Sequence, residues 1–166
     1  MEIDRLLLQD IRKFIETNYE NHTEMSMMCV HQEIRDCDKD TLNISFERIN
    51  LFIEETWQET VLRLIDEKGL KDSYVYKKSN ISKQTFSKIR SNVNYQPNKD
   101  TAIQICFGLE LDIDNSLDLL GKAGYTLSRG IYRDLVIIYF IENKLYNIDR
   151  LNLYLEELNM KLFPIN

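Results

Sequence analysis

The chain has 166 residues, 43% of them hydrophobic and 29% charged, and a formal net charge of −6. That length can bury one good core or two small ones without disulfide staples, and the composition is that of an ordinary globular protein. The longest apolar runs, such as LVIIYFI at 135–141, fall far short of a bilayer span, MEIDRLLLQD lacks a basic region followed by an apolar block, and three cysteines form no regular framework; a reducing, cytoplasmic setting with no membrane contact is expected.

Glycine and proline are scarce, at five and two, so helical spacing is the first pattern to test. Ile3, Leu7, Ile11 and Phe14 form a 3.6-residue stripe, with Glu2, Arg5, Asp10, Arg12 and Lys13 largely away from it; this predicts a first helix ending near Tyr19. From Glu20 to Asn43 the chain is polar and irregular, with EMSMMCVHQEI as a short helix or strand and RDCDKDT as a turn. Helical spacing resumes through Ile49, Phe52, Ile53, Trp57, Val61, Leu64 and Ile65, as one long helix or two in tandem. Gly69 in EKGLKD then offers the left-handed conformation that closes a helix.

Lys77, Lys78, Lys83, Lys88 and Arg90 crowd the stretch KKSNISKQTFSKIRSN without an acid among them. Val75 anchors a short helix that starts near Asp72 or Ser73, both plausible N-caps. Asn80 tolerates positive φ and ends that helix; Ser82 caps a second one, whose inner side is Phe86 and Ile89. The outer face carries Lys83, Gln84, Ser87 and Lys88, with Arg90 at its end. From Lys68 to Lys99 the only acid is Asp72, and the segment sums to +7, leaving −13 for the rest. Such segregation matters because phosphate is met locally and each neutralised phosphate releases counterions. A solvated lysine-rich face would look the same on charge alone.

The two short helices and their three-residue turn resemble the helix-turn-helix of the Cro and phage-repressor type. The likeness continues downstream, from about Thr56 to Gly124: Pro97 in the loop, NKDTAIQICFGLEL as a fourth helix through Ala102, Ile105 and Leu109, and DIDNSLDLLGKAG as a fifth. The longer segment from Trp57 to Phe163 also resembles a helical domain appended to bacterial macrodomains and other signalling modules, a likeness that implies no activity. The repressor resemblance implies a five-helix domain whose second motif helix enters the major groove. It puts Lys83, Gln84 and Lys88 at base-reading positions with Ser87 alongside, and Lys77, Lys78 and Arg90 at phosphates. Lysine can donate to guanine O6 and N7, and glutamine can pair with adenine N6 and N7. Two residues depart from the family pattern: Asp72, a carboxylate where a neutral phosphate donor is usual, and Tyr76, bulky where a small residue is usual.

Beyond Thr126, GIYRDLVIIYFIEN is hydrophobic nearly all round, and Ile148, Leu151, Leu155, Leu158 and Leu162 recur at three-and-four spacing. That stripe packs on the chain's own core or on the N-terminal helix, or it forms a homodimer seam that would present two reading helices to adjacent half-sites. His22, Cys29, His31 and Cys37 match no usual zinc spacing, Cys106 lies on an apolar helix face, and Asp112 and Asp114 read as capping rather than calcium ligands. No nucleophile–base pair or phosphate-binding glycine loop is recognisable, so no enzyme activity and no cofactor are expected. The expectation is an all-α protein with an N-terminal helical segment (1–50), a helix-turn-helix domain (51–127) and a C-terminal helical pair (128–166). Its partner would be double-stranded DNA, as a transcriptional regulator. The alternative is a non-catalytic adaptor that keeps the fold and binds an acidic partner protein.

Overall fold

A computed structural model describes residues 3–27 and 55–165, with side chains described from 3 to 19 and from 55 onward. Among the described residues there are eight helices and no strand, so the all-α expectation holds. They are α1 (Arg5–Met27), α2 (Trp57–Glu67), α3 (Asp72–Lys78), α4 (Lys83–Ser91), α5 (Lys99–Gly108), α6 (Ile113–Lys122), α7 (Tyr132–Glu142) and α8 (Ile148–Glu157). One hydrophobic cluster runs from Ile11 to Phe163.

Side-chain caps set most helix starts. Thr56 and Glu59 form a reciprocal capping box at α2, and Ser82, Asn98, Asp112 and Asn147 accept from the backbone at the starts of α4, α5, α6 and α8. The backbone N–H of Asn115 holds the Asp112 carboxyl below the usual range, as the expected capping role requires. Thr56 is extended, so a single helix does not run from Ile49 into Ile65; Ile49, Phe52 and Ile53 lie outside the described residues. The start of α3 also differs from expectation: its N-cap is Lys71, with no side-chain cap bond, and Asp72 is the first helical residue.

Helix ends follow one device. After α2, α3, α5, α6, α7 and α8 comes a left-handed residue, respectively Gly69, Asn80, Glu110, Gly124, Lys144 and Asn159. The next amide then bonds back to a carbonyl five residues earlier: Leu70 to Ile65, Ile81 to Tyr76, Leu111 to Cys106, Tyr125 to Leu120, Leu145 to Phe140 and Met160 to Leu155. This is the Schellman closure, and the apolar residue after each left-handed position packs inward. The α4 helix lacks it, ending in extended backbone at Asn92. There the buried Gln58 side chain of α2 donates to Ile89 O at 3.0 Å.

The first helix outlasts its apolar stripe, running to Met27 rather than stopping near Tyr19. No glycine or proline interrupts 19–27, and the end of an apolar face is not a stop signal. It lies antiparallel to α7, with Phe14 edge-on to Tyr139 at 5.2 Å and Tyr19 stacked on Tyr132 at 4.6 Å. Ile148, Leu151 and Leu155 are buried in the chain's own core, while Leu158 is half-buried and Leu162 exposed. The stripe considered as a homodimer seam is therefore occupied internally.

Helix α3 approaches α5 closely at Gly108. A Cβ on Gly108 would overlap Ser79 Oγ and lie 3.0 Å from Ser79 Cβ and 3.1 Å from Val75 O. Only glycine lets the two backbones come this close. Gly108→Ala is expected to lower stability by about 1–3 kcal/mol in urea unfolding. Ser79→Ala removes a buried hydroxyl that has no hydrogen-bond partner. In the double variant it should recover part of the loss; a Gly108→Ala protein as stable as the parent would exclude this packing. At the other close of a helix, Lys144 holds φ 55° while exposed. Lys144→Gly should raise stability by about 0.5–1 kcal/mol, and a lowered Tm would contradict the strain assigned to that position.

Candidate functional site

The basic unit is built from three segments. Val75 of α3 is buried, Asn80 turns the chain at φ 54°, Ile81 is buried, and Ser82 Oγ accepts from Thr85 N at 3.0 Å to open α4. Phe86 and Ile89 bury the inner side of α4, at 3% and 0% exposure. Lys83, Gln84, Ser87 and Lys88 stand exposed on the opposite side, as the spacing predicts, and Lys83, Lys88 and Lys77 make no ion pair among the described residues. The end of α3 and the start of α4 form an open groove of about 310 Å³ lined by Tyr76, Lys77, Asn80, Ile81, Ser82 and Lys83. It brings Lys77 and Lys83, six positions apart, to one concave surface.

The other two cations assigned to phosphate are paired. Arg90 meets Asp72 through both carboxylate oxygens, Nη2 to Oδ1 at 3.1 Å and Nε to Oδ2 at 3.2 Å. Lys78 reaches Glu110, just past α5, at 3.1 Å. The carboxylate of Asp72, a departure from the family pattern, thus has its own counter-ion, and the bond spans from the start of α3 to the end of α4. Both partners are about two-fifths exposed, so the pair contributes at most about 1 kcal/mol and weakens with salt. Tyr76, the second departure, packs its ring on Phe86 at 6.0 Å in the angle between the two helices.

Three supports were not legible as functional in the sequence. Gln58 holds the C-terminal end of α4, Gln104 of α5 donates to Asn80 O at 3.3 Å, and Asn80 Nδ2 donates to Asp149 Oδ1 of α8 at 2.8 Å. The available signal was a lone polar residue in an apolar helix: Gln104 sits between Ile103 and Ile105. Among the described residues no group of three or more His, Cys, Asp or Glu side chains is placed to hold a metal; Cys29, His31 and Cys37 lie outside them. Cys106 is free and buried, its thiol pushed up to about 12 by desolvation, which keeps it protonated at neutral pH. Comparison with protein-family models, curated proteins and solved structures finds no match for this chain.

Proposed function

We propose that the protein is a sequence-specific DNA-binding regulator of the helix-turn-helix class, laying residues 82–91 in the major groove. The observation that carries this reading is the α4 helix itself. It is capped at Ser82, anchored by Phe86 and Ile89, and presents Lys83, Gln84, Ser87 and Lys88 on one exposed face. A helix is the element the major groove admits, and lysines without an ion pair among the described residues, beside an amide side chain, supply donors for guanine and both donor and acceptor for adenine. Lys77, across the open groove from Lys83, would meet phosphate, which positions without reading sequence. Such a regulator would act in the cytoplasm without catalysis. A homodimer would need an interface other than the Ile148–Leu155 stripe.

One observation favours a second reading. Two of the three expected phosphate contacts, Lys78 and Arg90, are engaged by carboxylates. An interaction module for an acidic protein would keep the exposed lysines and have no need of them. The readings part at Gln84, because only a base reader uses it to discriminate between sequences.

Selection from random duplexes at low salt should enrich a motif. Against that motif Lys83→Ala and Lys88→Ala should each cost about 1–3 kcal/mol, and Gln84→Ala should relax one base position. Failure to enrich any motif would sink the DNA reading in favour of the acidic partner. Asp72→Asn frees Arg90 and deletes a repulsive charge. It should tighten DNA binding and steepen the dependence of log K on log salt by about 1, and an unchanged slope would show that freeing Arg90 adds no phosphate contact.

A further inference from the structure

We infer that Gln104 is a positioning residue: its side-chain amide ties the chain's C-terminal tail to the turn that aims α4, so that the seating of the tail sets how the lysine face is presented. Gln104 is 1% exposed, within a helix otherwise lined by Ile103, Ile105 and Phe107. Its Nε2 has two hydrogens, and each goes to a different segment: one to Asn80 O in the turn at 3.3 Å, the other to Pro164 O in the tail at 3.0 Å. Neither carbonyl is near Gln104 in sequence. An apolar side chain would fill the space, so the amide is there for its directional bonds.

The tail is held as a unit. Asn152 and Phe163 exchange two hydrogen bonds, Nδ2 to Phe163 O at 3.0 Å and Phe163 N to Oδ1 at 2.8 Å. The Arg133 guanidinium lies 4.2 Å over the buried Phe163 ring and donates from Nε to Lys161 O at 2.8 Å. Lys161 in turn pairs with Asp100 at 2.8 Å. Helices α5, α7 and α8 therefore fix the tail, and Gln104 passes that fixed position to Asn80, two residues before the cap that starts α4. The turn has little slack: Asn80 is held at φ 54° and Ile81 N bonds to Tyr76 O at 3.0 Å. Losing either acceptor frees the Gln104 amide to swing, and the turn loses a part-buried support.

The consequence for affinity rests on the DNA-binding reading; the coupling itself does not, and the test keeps the two apart. Two proteins are compared with the parent: full-length Gln104→Leu, and a chain ended after Phe163, which removes the Pro164 acceptor but leaves the Asn152 bonds. Residue-resolved hydrogen exchange should show the Ile81 amide opening about tenfold faster in Gln104→Leu and about threefold faster in the shortened chain, with Leu151 and Leu155 unchanged. Affinity for an enriched duplex, read by fluorescence anisotropy, should fall in both. Ile81 exchange that is unchanged in the shortened chain, or that rises no more than at Leu151, overturns the coupling. Faster exchange at Ile81 with parental affinity overturns the positioning role. If the parent binds no duplex, the DNA reading fails while the exchange result alone decides the coupling.

Discussion

The structure depends on one helix that has no solvent face. From Thr101 to Leu109 every residue of α5 and its C-cap is buried, so the helix must be covered on all sides and every polar atom in it satisfied internally. Helix α3 covers one side and α6 another. The close approach of α3 is possible because Gly108 has no side chain. The N-terminus is finished by the Asn98 cap and by Lys99 reaching the buried Asp134 at 2.6 Å, and that carboxylate also accepts from Ser128 N at 3.0 Å. Asp134 is 2% exposed, so its charge is tolerable only because a cation and a backbone donor both meet it. Once α5 is fixed in this way, α3 has one seat, the turn at Asn80 follows from the end of α3, and α4 follows from the turn.

Much of that sequence of dependencies was legible, because its signals are local. The cap at Ser82, the left-handed Asn80, the inner pair Phe86 and Ile89, and the closing Gly69 each depend on a few neighbouring residues, and the structure has each of them. The same closing device at Glu110 and Lys144 was hidden, because those residues are poor left-handed formers and the conformation is imposed by the apolar residue that follows each of them. Helix α1 was cut short for a related reason: its apolar stripe fades, but nothing in 20–27 breaks a helix. Residue type points to Asp72 or Ser73 as the cap of α3, whereas the N-cap is Lys71 and Asp72 is spent on Arg90.

The site was harder to read than the fold, since a count of charges says nothing about partners. The surplus between Lys68 and Lys99 treats Lys78, Arg90 and Lys99 as available, yet all three are paired, two of them with acids from outside that window, Glu110 and Asp134. What remains on the α3–α4 unit is Lys77, Lys83 and Lys88. The surface is less basic than its composition but more sharply located. Gln104 has no sequence signature beyond being out of place in an apolar helix, and Gln58, beside Glu59 and Thr60, has none at all. Their partners are backbone carbonyls 31 and 24 residues away.

These two kinds of bond divide the work of presenting α4. The Asp72–Arg90 pair crosses from one helix of the unit to the other, yet it is exposed, worth little and screened by salt. The bond from Gln58 to Ile89 O is buried and the one from Gln104 to Asn80 O part-buried, and where water is withdrawn an unmet carbonyl costs more than the bond returns. They grip α4 at its C-terminal end and at the turn before its N-terminal end. Direction is therefore set by neutral groups wholly or partly withdrawn from water, and charge is left exchangeable. An anionic surface approaching α4 can take Arg90 from Asp72 without disturbing the helix that carries Lys83, Gln84 and Lys88. Had the ion pair been buried and the amides exposed, binding an anion would have cost the unit its geometry.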